Sequence, residues 1–242
     1  DPSNILFDYP IKELKKICGD ECFLSFDGSQ ILGIIAGGAY PNPLKYGADD
    51  LHGTTHKSLP GPQKAMYLFP KNSPISEIVQ KGLHPNIVSN VHYQNIFALT
   101  VTLLEMQKFG KEYAHNCVAN AKAFGKELAK NGFEIVGADL GYTMTHQIFV
   151  KMGSLDQAFE GYKILEQANI NVNTMKMPFC DGYGFRIGLA EATRRGVRKQ
   201  DIPGIAGFFK KLLLQKASPA KIRKEVIEFQ KNFTKVKFSF DK

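Results

Sequence analysis

Tryptophan is absent from the 242 residues, and only four are cysteine. Cys18, Cys22, Cys117 and Cys180 are too few and too scattered for a disulfide framework. Cys18 and Cys22 stand four apart, but no second pair follows at the spacing of a zinc site, so all four read as free thiols of a reducing compartment. Long apolar runs are also missing. The most apolar stretch, Ile31 to Tyr40, is about half the roughly 20 residues that a helix needs to cross a bilayer. The opening residues, Asp1-Pro2-Ser3-Asn4, carry no basic segment followed by an apolar one, as a secretory signal would. These absences lead to the expectation of a cytoplasmic protein with no membrane partner.

What is present is ordinary for a globular chain: 43% apolar and 22% charged residues, enough for a core and too apolar for low-complexity disorder. The formal net charge of +8 is unevenly placed. Residues 194–242 hold 14 Lys and Arg against 4 Asp and Glu, while residues 1–193 hold 17 against 19. The basic excess lies on two amphipathic helices with Ile205, Phe208, Phe209, Leu212 and Leu213 on their apolar side. A solvated helix face accounts for it, and no nucleic-acid partner is expected. His84, His92, His115 and His146 share no ligand spacing with carboxylates or cysteines, so no metal is expected.

Spacing along the chain predicts a helix over Ile11 to Cys18, stopped by Gly19, and strands at Cys22 to Phe26, Ala48 to Thr55 and Ala65 to Phe69. Strands separated by helices or long connections suggest a mostly parallel sheet. Two helices follow, Val91 to Phe109 and a second beyond Gly110 with Tyr113, Cys117, Phe124 and Leu128 on one side. After Gly132 the pattern changes to short strands at Phe133 to Val136, His146 to Lys151, Asn171 to Met175 and Phe185 to Gly188. Ser154 and Gln157 form a capping box for a helix to about Ala168, and Ser218-Pro219 opens the last helix. A domain change is expected near residue 132, between an α/β portion (1–132) and a small α+β portion with a basic helical tail (133–242).

Three segments carry chemistry. The string from Gly37-Gly38-Ala39-Tyr40 through Thr54-Thr55-His56-Lys57-Ser58-Leu59-Pro60-Gly61-Pro62-Gln63 closely resembles the lysine motif of serine hydroxymethyltransferases and their relatives, fold-type-I enzymes that use pyridoxal 5'-phosphate. In that family the lysine after Thr-His forms a Schiff base with the cofactor, which the resemblance assigns to Lys57. The family also has an aspartate at a strand end, and Phe23-Leu24-Ser25-Phe26-Asp27 ends 30 residues before Lys57. A carboxylate against the pyridine nitrogen keeps it protonated, and a protonated ring accepts the electron pair released at the substrate Cα. Relatives carry Arg-Ile-Gly on a small-domain strand, matched here by Arg186-Ile187-Gly188; that arginine grips the amino-acid carboxylate through its planar guanidinium. Arg186 is the only arginine before residue 194, against 16 lysines, a bias that favours a site. His56, next to the lysine, is expected to contact the cofactor phosphate or orient the lysine, and Thr54 and Thr55 offer hydroxyls near the cofactor. Gln30 stands where most members have a histidine; it can donate a hydrogen bond to the ring's 3' oxygen but cannot change charge near neutral pH.

The resemblance runs from about Pro10 to Phe209 and matches only the later part of a family member. It implies a fold-type-I α/β arrangement: part of the large cofactor-binding domain over 1–132, then the small domain. It further implies a small amino-acid substrate and a homodimer centred on the apolar segment from Val91. Typical members use tetrahydrofolate or another tetrahydropterin, but the segment that lines the folate site reads Pro85-Asn86-Ile87-Val88-Ser89-Asn90-Val91-His92 here, which counts against folate. The Pro-Gly-Pro-Gln and Ser-Asn-x-His strings resemble a divergent branch with archaeal-type hydroxymethyltransferases and threonine transaldolases. The expected activity is hydroxymethyl transfer between serine and glycine. The alternatives are folate-independent threonine aldolase or transaldolase chemistry, and a catalytically incomplete fragment serving as a dimerisation or partner domain.

Overall fold

The computed structural model describes residues 4–178 and 180–240. Asp1, Pro2 and Ser3, read above for a signal pattern, lie outside the described residues. The chain divides into two compact units, residues 1–111 and 112–242. Each is described by itself.

The first unit opens with α1 (Ile11–Cys18), the helix that spacing predicts. Glu13 in its first turn and Lys15 and Lys16 in its last complement the helix dipole, and Gly19, at φ 64°, ends it. Lys15 Nζ reaches the Asp49 carboxylate at 3.1 and 3.2 Å, and the same carboxylate accepts from the Leu24 amide at 2.8 Å. These bonds register α1 and the start of β1 (Ser25–Asp27) against the segment that leads into β2 (Asp50–Thr54). Between the strands lie α2 (Leu32–Ala36) and a 3-10 turn at Pro43–Tyr46, in the passage whose glycines and prolines read as loop. That long connection lets β1 and β2 pair parallel, with Asp27 opposite His52. β3 (Ala65–Leu68) then pairs antiparallel with β2, so one of the two pairings in the sheet order β1-β2-β3 is parallel. Phe26, Ile31, Leu32, Ile34, Ile35, Leu51 and Leu59 are buried around it.

Sequence spacing also missed α3 (Ile75–Leu83), none of whose residues is buried. The next element corrects a second expectation. Instead of two helices broken at Gly110, α4 runs without interruption from Tyr93 to Lys130, 38 residues. A glycine inside a helix costs about 1 kcal/mol relative to alanine, too little to break a helix of roughly ten turns. At Gly110 a Cβ would stand 2.9 Å from Met106 Cε, so the glycine makes room for that side chain. The two compact units divide within α4, whereas the expected domain change near residue 132 falls just beyond its end.

In the second unit Tyr113, Cys117, Phe124 and Leu128 of α4 are buried, the stripe expected from their spacing. The remaining elements are β4 (Glu134–Ile135), β5 (Gln147–Gly153), α5 (Leu155–Gln167), β6 (Asn173–Lys176), β7 (Tyr183–Gly188), α6 (Ala190–Arg194), α7 (Ile202–Phe209) and α8 (Pro219–Gln230). Their sheet has the order β4-β5-β7-β6 and is antiparallel throughout. Ile148, Val150, Phe185 and Ile187 face a core shared with Phe124, Leu128, Leu165, Phe209 and Leu212. The capping box on α5 is formed: Gln157 N donates to Ser154 Oγ at 3.2 Å, and Ser154 N to Gln157 Oε1 at 2.8 Å. The basic tail packs as expected, with Phe208, Phe209, Leu212 and Leu213 buried and Lys211 outward on Glu225 at 2.6 Å. Among the described residues no helix is long and apolar enough to cross a membrane, and no three metal-ligating side chains cluster.

Candidate active site

β1 and β2 run parallel, so both end at the same edge of the sheet. Asp27 is the last residue of β1, and Lys57 follows the last residue of β2 by three. Beyond the strand ends the two chains stay stitched together. Gly28 N donates to His52 O at 2.7 Å, Thr54 N to Ser29 Oγ at 3.3 Å, and Thr54 Oγ1 to Ser29 O at 3.1 Å. Asp27 Oδ1 accepts from Ser29 N at 2.8 Å, a local turn that fixes the carboxylate. Gly28 and Gly53 allow this approach: a Cβ on Gly53 would lie 3.0 Å from the Gly28–Ser29 peptide. Gln30, next in line, is buried.

The lysine loop is tied off at its base by a single residue. Thr55 N donates to Lys64 O at 2.8 Å, Thr55 Oγ1 to Pro62 O at 2.6 Å, and Thr55 O accepts from Gly61 N at 2.8 Å. Immediately after the lysine, Ser58 and Leu59 are buried, and Ser58 Oγ accepts from Gly33 N of α2 at 3.2 Å. Gly33 is required there, because a Cβ would press into the Ser58–Leu59 peptide, 2.7 Å from Leu59 N. His56 and Lys57 are exposed between these anchors. The backbone is held on both sides, and the ammonium is presented outward.

At the start of the same strands Ser25 and Asp50 are in contact, and His52, opposite Asp27 in the register, reaches back to them. Asp50 is buried, accepts from Ser25 Oγ at 3.0 Å on both oxygens, and lies 2.9 Å from His52 Nδ1. Ser25 Oγ also approaches His52 Nδ1, at 3.3 Å. A nucleophile relay needs the serine on one ring nitrogen and the acid on the other. Both share Nδ1 here, so this cluster is a hydrogen-bonded tie between Ser25 of β1 and Asp50 and His52 of β2.

Arg186 belongs to the second unit and sits on β7 opposite Phe149 of β5. It is half-buried, and burial lowers the pKa of its guanidinium from the usual value. His146, directly before β5, is almost fully buried, and burial together with the positive Arg186 pushes its pKa down to about 4. Its Nδ1 has no hydrogen-bond partner among the described residues. Nothing in the spacing of the histidines singles out His146; only its burial does. Ser29, Thr55, Ser58 and Gly33 were likewise without signal as positioning residues, since their part depends on which strand ends adjoin.

The residues present suit a pyridoxal group. A carboxylate, strand-end hydroxyls and an exposed lysine loop follow the carboxyl ends of a parallel strand pair, where ligands of α/β folds bind. The comparisons agree with this chemistry. Residues 4–209 match the family model for serine hydroxymethyltransferase. The chain belongs to that family. It is 38% identical to the serine hydroxymethyltransferase of Staphylothermus marinus, with 97% of this chain and 55% of that relative aligned. It is 37% identical to that of Pyrococcus horikoshii, over 97% of this chain and 58% of the relative. A crystal structure of L-threonine transaldolase from Pseudomonas fluorescens in the internal aldimine state superposes with a TM-score of 0.95 at 33% identity, covering 99% of this chain and 56% of that one. The fold is thus the expected fold-type-I α/β class of a family of enzymes, and the chain spans about half the length of the relatives it matches.

Proposed function

We propose that this chain carries the lysine, aspartate and arginine of a pyridoxal-phosphate site acting on the Cα–Cβ bond of a β-hydroxy amino acid. The observation that supports it is the placement of Asp27 and the Lys57 loop at one edge of a parallel strand pair. Lys57 would hold the aldehyde covalently, Asp27 would pair with the protonated ring nitrogen, and Gln30, Thr54 and His56 would contact the ring or its substituents. The bound cofactor supplies an electron sink for the pair released at Cα. Arg186 would bind the substrate carboxylate through its planar guanidinium and so limit the orientations of the amino acid. The Lys57 side chain, on a loop with a fixed backbone, would take a proton at Cα as the free amine and return one as the ammonium.

Hydroxymethyl transfer between serine and glycine is the leading reaction. Aldol cleavage or transaldolation of threonine without a folate is the second reading, favoured by the likeness to the transaldolase structure and by the departure over Pro85 to His92. A homodimer is supported by one feature of α4: Tyr93, Ile96, Phe97, Val101 and Leu104 form an exposed apolar stripe at helical spacing. A cytoplasmic site of action belongs to the same reading. The deciding experiment adds pyridoxal phosphate to the intact protein. A visible absorbance band that borohydride abolishes, and that Lys57→Ala lacks, is expected; a wild-type protein without the band overturns the reading.

A further inference from the structure

His146 and Arg186 share one face of the second sheet. On β7, Phe185 and Ile187 point into the core, so the alternate residues Arg186 and Gly188 point to the opposite face. A Cβ built on Gly188 would stand 3.4 Å from His146 Cδ2 and 3.7 Å from its Nε2, so the imidazole lies over Gly188 on the Arg186 side. Leu189 N donates to His146 O at 2.9 Å, and Gln147 pairs with Gly188 in the strand register, which holds the ring in that place. His146 falls opposite Leu189, three residues along the register from Arg186, so the two side chains are rooted roughly 10 Å apart along the sheet, a span that a long arginine side chain and one small anion can bridge.

A histidine buried for structural reasons normally satisfies both ring nitrogens. His146 leaves Nδ1 without a partner among the described residues, although its ring is only 5% exposed. We propose that this nitrogen is the second hydrogen-bonding group for the substrate carboxylate: Arg186 takes the charge, and His146 Nδ1–H donates to one carboxylate oxygen. The ring suits the task because it is uncharged. A carboxylate in its place would pair with the guanidinium and expel the substrate; a second cation would raise the cost of bringing two charges together before ligand arrives. Gly188 leaves the space in which the ring lies. The inference rests on the reading of Arg186 as the carboxylate anchor and adds a partner to it.

The test titrates the cofactor-loaded protein with glycine, and separately with methylamine, following the visible absorbance. His146→Leu should weaken glycine binding at least tenfold and leave methylamine, which has no carboxylate, unchanged. His146→Asn, whose amide nitrogen falls near the place of Nδ1, should recover glycine binding to within about threefold of wild type. Equal losses for both amines, or none for glycine, would overturn the proposal. If Arg186→Leu loses glycine affinity while His146→Leu does not, the Arg186 reading stands and this one fails; if Arg186→Leu is also unaffected, both fail. A second measurement needs neither variant nor cofactor. Adding acetate to the cofactor-free, 15N-histidine-labelled protein should shift the His146 Nδ1 resonance, and an unmoved resonance at saturating acetate counts against the proposal.

Discussion

The Gly33 amide donates to the Ser58 hydroxyl at 3.2 Å, and the glycine has no Cβ to keep the two segments apart. One hydrogen bond thereby couples a helix in the Gly-rich passage to the residue that follows the lysine.

Gly33→Ala should be among the most damaging single substitutions in the first unit. The added methyl meets backbone, which cannot rotate away, and overpacking of this kind costs about 1–3 kcal/mol. The expected result is a lower melting temperature together with at least tenfold weaker pyridoxal-phosphate binding, read by calorimetry and by cofactor titration. A variant that is less stable but binds cofactor normally would show that the clamp serves the fold alone.

Asp27→Asn keeps the shape of the strand end and the turn to Ser29 but removes the charge. Loss of this electrostatic support should reduce turnover on the order of a hundredfold, with the covalent link to Lys57 still formed. Steady-state kinetics and borohydride trapping separate the two effects.

The low pKa of His146 makes stability depend on pH. The unfolded side chain takes up a proton near pH 6.5, while in the folded protein burial first, and Arg186 second, delay protonation to about pH 4. Between those values the unfolded state binds more protons, so stability falls as pH falls from 6.5 towards 4 and is fully present above 6.5. The window is worth about 3 kcal/mol. Denaturant titrations at pH 7 and pH 4.5 should show this loss in the wild type and a smaller one in His146→Leu; parallel losses would assign the acid sensitivity to other groups.

Threonine given to the intact enzyme without a tetrahydropterin should yield glycine and acetaldehyde if the folate-independent reading holds. Serine turnover that rises at least tenfold on adding a tetrahydropterin would instead favour hydroxymethyl transfer. Product analysis by chromatography decides between them.

Phe97→Asp puts a charge in the exposed apolar stripe of α4. If that stripe joins two copies, light scattering should show a dimer becoming a monomer, because an unpaired charge buried in an interface is costly. An unchanged mass would place the contact elsewhere.

Much of the fold was legible from local signals. Glu13, Lys15 and Gly19 mark the limits of α1, and Ser154 with Gln157 announces α5, because caps and charges act within a turn or two. The continuity of α4 was not legible: the penalty at Gly110 is local, while the burial of Tyr113, Cys117, Phe124 and Leu128 that supports the helix comes from elsewhere in the chain. Helices α2 and α3 were hidden by glycine and proline neighbours and by the small number of apolar positions in so few turns. At the candidate site, Lys57, Asp27 and Arg186 stood out through their motifs. Ser29, Thr55, Ser58 and Gly33 did not, since what they do depends on hydrogen bonds between strand ends and loops that spacing cannot reveal. His146 escaped for a similar reason: a single histidine has no period, and its isolation from water is a property of the folded sheet.

The knot of bonds at Thr55 has an entropic consequence. A lysine on a slack segment would surrender backbone freedom at each engagement, about 1–2 kcal/mol for every residue ordered. With Thr55 and Ser58 already immobilised on either side, Lys57 has little left to lose but the rotations of its own side chain. The folding of the scaffold has met that expense in advance, and on the proposed reading the amine would begin each turnover from the same place.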